Sequence, residues 1–153
     1  NLAINDLNNS SQRLMPSILD ALGLVPSLRS LLNEFRELTD IKIGFFNRNV
    51  QKRFDREKEL AIYRIVQEAL NNIVKHAKAK NVYVSLLKKG AVLSLSVEDN
   101  GVGFDQNKAM KISKGKGPLG LVIMRERALQ LDGELTIESI LGKGTHLLVE
   151  IPI

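Results

Sequence analysis

Hydrophobic positions along this chain follow two distinct periods. Leu28, Leu31, Leu32, Phe35 and Leu38 recur at three- and four-residue spacing, which predicts an amphipathic helix with Pro26 in its first turn. The segment 41-IKIGFF-46 alternates and reads as a strand. A long helix is predicted from about Asp55, which can cap it, to Ala79. Two alternating runs, 81-NVYVSLL-87 and 91-AVLSLSVED-99, form a hairpin around Lys88, Lys89 and Gly90. Residues 104–117 read as a lysine- and glycine-rich loop, and a further helix covers about Leu119 to Leu131, with Gly133 as its C-terminal cap. Two closing strands, 134–140 and 145–153, flank Leu141-Gly142-Lys143-Gly144. Short links join most neighbouring strands. The pattern predicts an α+β two-layer sandwich, a mixed, largely antiparallel sheet covered on one face by helices.

Upstream, Ile4, Leu7 and Leu14 occupy a and d heptad positions before Pro16 interrupts the series. Residues 1–13 are therefore expected to be the tail of a longer helix, and 14–153 one domain. The chain begins without a Met, and a piece of a longer protein is expected.

The long helix carries more polarity than packing needs. At 100° per residue from Glu68, its apolar residues from Ile62 to Ala77 fill an arc of about 60° to 240°. Arg64, Gln67, Asn71, Lys75 and Lys78 fall on the opposite side, so Asn71 and Gln67 are expected in solvent. Glu68, Asn72 and His76 trace a line along the border. At that margin an unpaired Asn72 amide costs roughly 1–3 kcal/mol, so it needs a partner, either a backbone group or a hard cation such as Mg²⁺. Glu68 and His76 are open in the same way, as ordinary boundary residues or as members of a site.

Asp99 shares the parity of Leu93, Leu95 and Val97, so it points inward at the end of a core-facing row. A buried carboxylate is costly unless it is hydrogen-bonded. With Gly101 and Gly103 behind it, the segment is either a plain Asp-Asn-Gly turn or the polar floor of a pocket, where an adenine amino group would satisfy the acceptor. Thr145 repeats the pattern, sharing the parity of Leu147, Val149 and Ile151, whereas His146 points the other way and is expected in solvent. Neither glycine cluster matches a dinucleotide fingerprint or a phosphate-binding P-loop. Lys108, Lys111, Lys114 and Lys116, with Gly115 and Gly117, suit a solvated charge run or a lid over a polyphosphate.

Composition narrows the classes. The chain is 44% hydrophobic and 25% charged, ordinary for a globular domain, with no apolar run approaching the ~18 residues of a membrane span. Zero cysteines exclude disulfides and thiolate metal sites within it. The net charge of +5 and pI near 9.6 suggest an acidic partner. With 5% aromatic residues and dispersed Lys and Arg, nucleic acid is not expected, and a phosphorylated small ligand accounts for the same charge.

Four segments resemble, in order, the GHKL ATPase superfamily of gyrase, the heat-shock chaperone, mismatch-repair ATPases and histidine kinases. They are Glu68-x-x-x-Asn72, Asp99-x-Gly101-x-Gly103, Gly120-Leu121 leading into Met124-Arg125-Glu126-Arg127, and Gly142-x-Gly144-Thr145. The Met-Arg-Glu-Arg-Ala segment, with 14-LMPSILDALGLVPSL-28, looks like the sensor histidine kinase branch typified by nitrate and lipid-fluidity sensors. The resemblance covers residues 14–153 and implies the Bergerat fold, with ATP and Mg²⁺ as cofactors. By it, Asn72 would be the Mg²⁺ ligand, Asp99 the adenine reader, and Gly101 and Gly103 the turn against the nucleotide. Gly117 and Gly120 would be lid hinges near the phosphates, Lys116 and Leu121 would bind the nucleotide beside them, His76 would stand in the site where other histidine kinases have a second asparagine, and Thr145 would help Asp99 hold the base. Glu68 matches the carboxylate that activates water in hydrolysing relatives and would form a catalytic pair with Asn72. Pro118 stands where the lid box has its first glycine.

The only histidines are His76 and His146, and neither is followed by an acidic residue on a heptad helix. The resemblance therefore implies a kinase catalytic domain whose acceptor histidine lies on a dimerisation/histidine phosphotransfer domain, with a response regulator downstream. The fragment is expected to be monomeric and the full-length protein a homodimer, cytoplasmic or tethered to a membrane by another part. The alternatives are an ATP hydrolase or serine kinase of the same superfamily, or a docking module without catalysis.

Overall fold

The computed structural model describes residues 17–153; the heptad positions and the predicted 1–13 segment lie outside the described residues. Residues 17–22 are helical, and α1 follows at Leu24–Leu38, with Pro26 in its first turn. Leu24, Leu28, Leu31, Leu32 and Phe35 are buried along one stripe of α1, as their spacing requires. Thr39 ends the helix, its hydroxyl donating to the Phe35 carbonyl at 2.7 Å.

The sheet has five strands in the order β1-β2-β3-β5-β4. They are β1 (Lys42–Arg48), β2 (Asn81–Lys89), β3 (Val92–Asp99), β4 (Glu134–Ile140) and β5 (Gly144–Pro152). Only β1 and β2 run parallel, since the long helix between them supplies the crossover; the other pairs are antiparallel. One parity of side chains is buried under the helices, including Val84, Leu95, Val97, Ile137 and Val149. The sandwich expected from the pattern is the architecture observed. Its consequence for the site is the pairing of β3 with β5, which sets Asp99 directly opposite Thr145.

The long helix departs from expectation in three ways. Its α-helical part, α2, runs Arg56–Asn72 and then widens into a π-helical turn, Ile73–Ala77, ended by Lys78 at φ 52. The widened turn leaves the Ala77 carbonyl to accept from Val102 N at 2.7 Å, tying the helix end to the turn after β3. Asp55 sits at the N-cap position without a side-chain cap bond and instead pairs with Lys58 at 3.6 Å. Gln67 and Asn71 are buried, not solvated. The wheel gives their angle correctly but not the number of neighbours: the sheet, α1 and the later helix at Leu119–Leu129 all pack against α2. Gln67 Nε2 and Asn71 Oδ1 have no hydrogen-bond partner among the described residues.

The expected loop at 104–117 contains a helix, α3 (Gln106–Ser113). Asp105 caps it by accepting from Lys108 N at 2.8 Å, and Ala109 and Ile112, three residues apart, anchor it in the core. The lysine spacing hid this short apolar stripe. After Gly115 and Gly117, both at positive φ, α4 spans Leu119–Leu129. Its left-handed terminator is Asp132 at φ 59, not Gly133. Gly133 is required for a different reason, because a Cβ there would meet the Glu150 carbonyl of β5.

Candidate nucleotide-binding site

The site begins with a carboxylate in an unfavourable place. Asp99 ends β3 at 7% exposure, and its Oδ1 accepts from Gly101 N at 2.8 Å. Burial pushes its pKa up, only partly offset by the backbone N–H groups of Gly101 and Thr145, and the nearby Glu98 adds to the rise. The Asp-Asn-Gly segment is thus a turn and a pocket floor at once. Asn100 Oδ1 accepts from Lys80 N and Asn81 N, each at 2.9 Å, which frees Asp99 to face inward.

Asp99 opens into a cavity of about 450 Å³, within the range of small-molecule sites. Val97, Ile137, Leu147 and Met124 give it apolar walls, while Asn72, His76, Thr145 and Lys108 add polar groups. A wider recess of about 750 Å³ lies at the opposite end of the sheet near Lys58, Lys88 and Ile153, but none of the predicted site residues lines it. Its central charge is already committed, since Arg53 holds the buried Glu59 carboxylate at 2.9 Å and the Leu19 carbonyl at 3.0 Å. The predicted site residues gather at the smaller cavity and not at the wider recess.

Of the predicted residues, Asn72, His76, Asp99, Gly103, Leu121 and Thr145 line this cavity. Glu68, Gly101, Lys116, Gly117 and Gly120 do not. Asn72 is half-buried on the last turn of α2 and His76 is exposed on the π-turn beyond it. Gly101 is buried beneath the π-turn, where a Cβ would overlap the Ala77 carbonyl. Its bareness serves the crossing of two backbones rather than the pocket wall. Gly103, at φ +64, has no room for a Cβ against the Ile140 carbonyl. Lys116 is exposed, and the lysine beside the cavity is Lys108, 5.4 Å from the Phe104 ring centroid. Glu68 stands against Gly120, where a Cβ would overlap its Oε1. His146 is half-buried rather than solvated, on the other face of the sheet, its Nε2 2.7 Å from Ser96 Oγ.

Sequence reasoning missed Ser139. Its hydroxyl, 3% exposed, accepts from Phe104 N at 2.7 Å, donates to the Gly144 carbonyl at 3.1 Å and meets Thr145 Oγ1 at 2.8 Å. It joins Phe104, beyond the turn after β3, to the start of β5, where Thr145 faces Asp99. The signal was available: Ser139 shares the inward parity of Leu135 and Ile137 at a strand end, as Asp99 and Thr145 do on theirs.

Residues 57–153 match the family described as histidine kinase-, DNA gyrase B-, and HSP90-like ATPase. A signal transduction histidine-protein kinase/phosphatase DegS from Brevibacillus brevis is 40% identical over 135 residues, 88% of this chain and 34% of that protein. The oxygen sensor histidine kinase NreB of Staphylococcus carnosus is 39% identical over 150 residues, 98% of this chain and 42% of that protein. The chain thus spans less than half the length of either relative. Among solved structures, the histidine kinase domain of the Erythrobacter litoralis EL346 blue-light-activated kinase superposes with TM-score 0.67 at 26% identity, over 84% of this chain and 64% of that one. The catalytic domain of histidine kinase ThkA shares the fold with TM-score 0.67 at 19% identity, over 84% of this chain and 89% of that one. Full-length ShkA, solved in complex with AMPPNP, does so at 0.66 and 19%, over 85% of this chain and 29% of that one. The chain belongs to the histidine kinase-, DNA gyrase B- and HSP90-like ATPase family, and within it is a histidine kinase ATPase domain.

Proposed function

We propose that this domain holds Mg²⁺-ATP in the Asp99 cavity and presents its terminal phosphoryl group to a histidine on another domain of the same kinase. The observation that carries this reading is the buried carboxylate of Asp99, its pKa raised by burial, opening into an apolar slot. An exocyclic amino group is the complementary donor, and the flat faces of a purine suit Val97, Ile137 and Leu147. Thr145, opposite Asp99 across the β3–β5 pair, borders the same end of the slot. The phosphates then extend toward Asn72, His76, Lys108 and the start of α4.

The residues present suit a magnesium ion arriving with its nucleotide. Among the described residues no group of three or more His, Asp or Glu side chains gathers as a metal cage. Mg²⁺ commonly takes one or two protein ligands and completes its shell with phosphate oxygens and water. Asn72, at the cavity margin, is the residue that would hold it. Held there, the ion would supply positive charge to offset that of the phosphates. The chain's own work is positioning: Asp99 orients the base, the apolar walls exclude water, and Lys108 and His76 offer donors along the phosphate path.

The family relationship supports a dimerisation/histidine phosphotransfer domain as the acceptor and a response regulator as the downstream partner. Among the described residues no helix is long and apolar enough to cross a membrane. Mixing this domain with its phosphotransfer domain and γ-labelled ATP tests the reading. Acid-labile, base-stable label on that domain supports it, and label released only as inorganic phosphate contradicts it.

A further inference from the structure

Helix α4 lacks the devices that normally complete a helix start. Its N-cap is Pro118, which makes no side-chain cap bond, and its first turn has no acidic residue. The Pro118 carbonyl accepts from Leu121 N and Val122 N, both at 3.1 Å, while the N–H groups of Leu119 and Gly120 emerge from the first turn. Beside this uncompensated positive end lies the Glu68 carboxylate, its Oε1 in the volume that a Gly120 Cβ would need, although it makes no hydrogen bond to α4. Glu68 comes from α2, one turn before Asn72. The bare α-carbon of Gly120 is what lets the two helices meet through a carboxylate.

We propose that Glu68 is a positioning residue whose negative charge, rather than a cap hydrogen bond, holds the positive end of α4 from across the domain while no nucleotide is bound. It holds the start of α4, and with it the C-terminal end of the 104–118 lid, against α2. Resting on the reading that ATP phosphates approach this helix start, the same carboxylate repels them until Mg²⁺ screens their charge. Glu68 therefore restricts the site to metal-loaded nucleotide. This role differs from activation of water, which requires the carboxylate to face the cavity; Glu68 is not among its lining residues.

Backbone hydrogen exchange of the whole chain without nucleotide tests this role. In Glu68→Gln, exchange at Leu121 and Val122, whose N–H groups bond to the Pro118 carbonyl, should accelerate about two- to fivefold, the effect of losing a charge at a helix N-terminus. Glu68→Asp, which keeps the charge, should lie nearer the parent. Unchanged exchange at Leu121 and Val122 in Glu68→Gln, or equal acceleration throughout the sheet, would overturn the proposal. In a second arm, Glu68→Gln should tighten Mg²⁺-free ATP binding about fivefold with little change for Mg²⁺-ATP, as expected for removing one nearby like charge. Equal effects on both forms would also overturn it. A parent chain that bound no ATP would defeat the proposed function while leaving the exchange result standing.

Discussion

Asp99→Asn is the substitution that separates ligand recognition from folding. The amide is nearly isosteric, and its Oδ1 can keep the 2.8 Å bond from Gly101 N, so the turn after β3 should survive. What changes is the face toward the cavity: a charged acceptor becomes a neutral group whose –NH₂ confronts the amino group of adenine. A hydrogen bond to a charged partner is worth about 1.5–3 kcal/mol, so Kd for ATP should rise about ten- to a hundredfold. The fold should respond in the opposite sense. Because burial raises the folded-state pKa of Asp99 above 3.8, the folded chain holds a proton that the unfolded chain has already lost. That contribution to stability is complete below the unfolded value and is lost as pH rises through the folded value. At neutral pH the ionised carboxylate is thus a burden, and Asp99→Asn should melt at or above the parent's Tm. Calorimetric titration with Mg²⁺-ATP and thermal melts on the same samples give both readings. Unchanged ATP affinity, or a variant that unfolds, would refute the reasoning: the first denies the adenine contact and the second makes the carboxylate structural.

The remaining predictions follow from neighbouring groups. ATP affinity of the parent should weaken as pH falls through the raised Asp99 value, because the protonated acid no longer offers a charged acceptor; titrations across pH should show this loss, and Asp99→Asn should flatten it. Asn72→Ala should abolish most of the Mg²⁺ dependence of ATP binding while leaving Mg²⁺-free affinity within about twofold, below the ~1.4 kcal/mol of a tenfold change. Ser139→Ala leaves Phe104 N without its 2.7 Å acceptor and should cost about 1–3 kcal/mol in urea unfolding. Gly101→Ala forces a methyl against the Ala77 carbonyl, a backbone atom that cannot swing aside, and should destabilise the fold by about 1–3 kcal/mol or more in the same assay.

Parity and period carried most of the fold. Five strands, the long helix and the inward aim of Asp99 were all legible, because each depends on local alternation that one chain displays. The burial of Asn71 was not, since a helical wheel reports direction but not how many elements surround it. Helix α3 was hidden by lysines at the spacing of its own turns, with only Ala109 and Ile112 to betray a buried stripe. The π-turn at Ile73–Ala77 was not legible either: the bond its end makes, from Val102 N to the Ala77 carbonyl, joins residues far apart in the chain. The same limit applies to Glu68. Its place against Gly120 joins α2 to α4, and no spacing within either helix could announce it.

The central claim is that the Asp99 cavity is an ATP site, and equilibrium titration of the chain with ATP, with and without Mg²⁺, tests it most directly. The account predicts one saturable site per chain, tighter with Mg²⁺ and weakened about ten- to a hundredfold in Asp99→Asn. No saturable binding at millimolar Mg²⁺-ATP, or binding indifferent to Asp99, would contradict it.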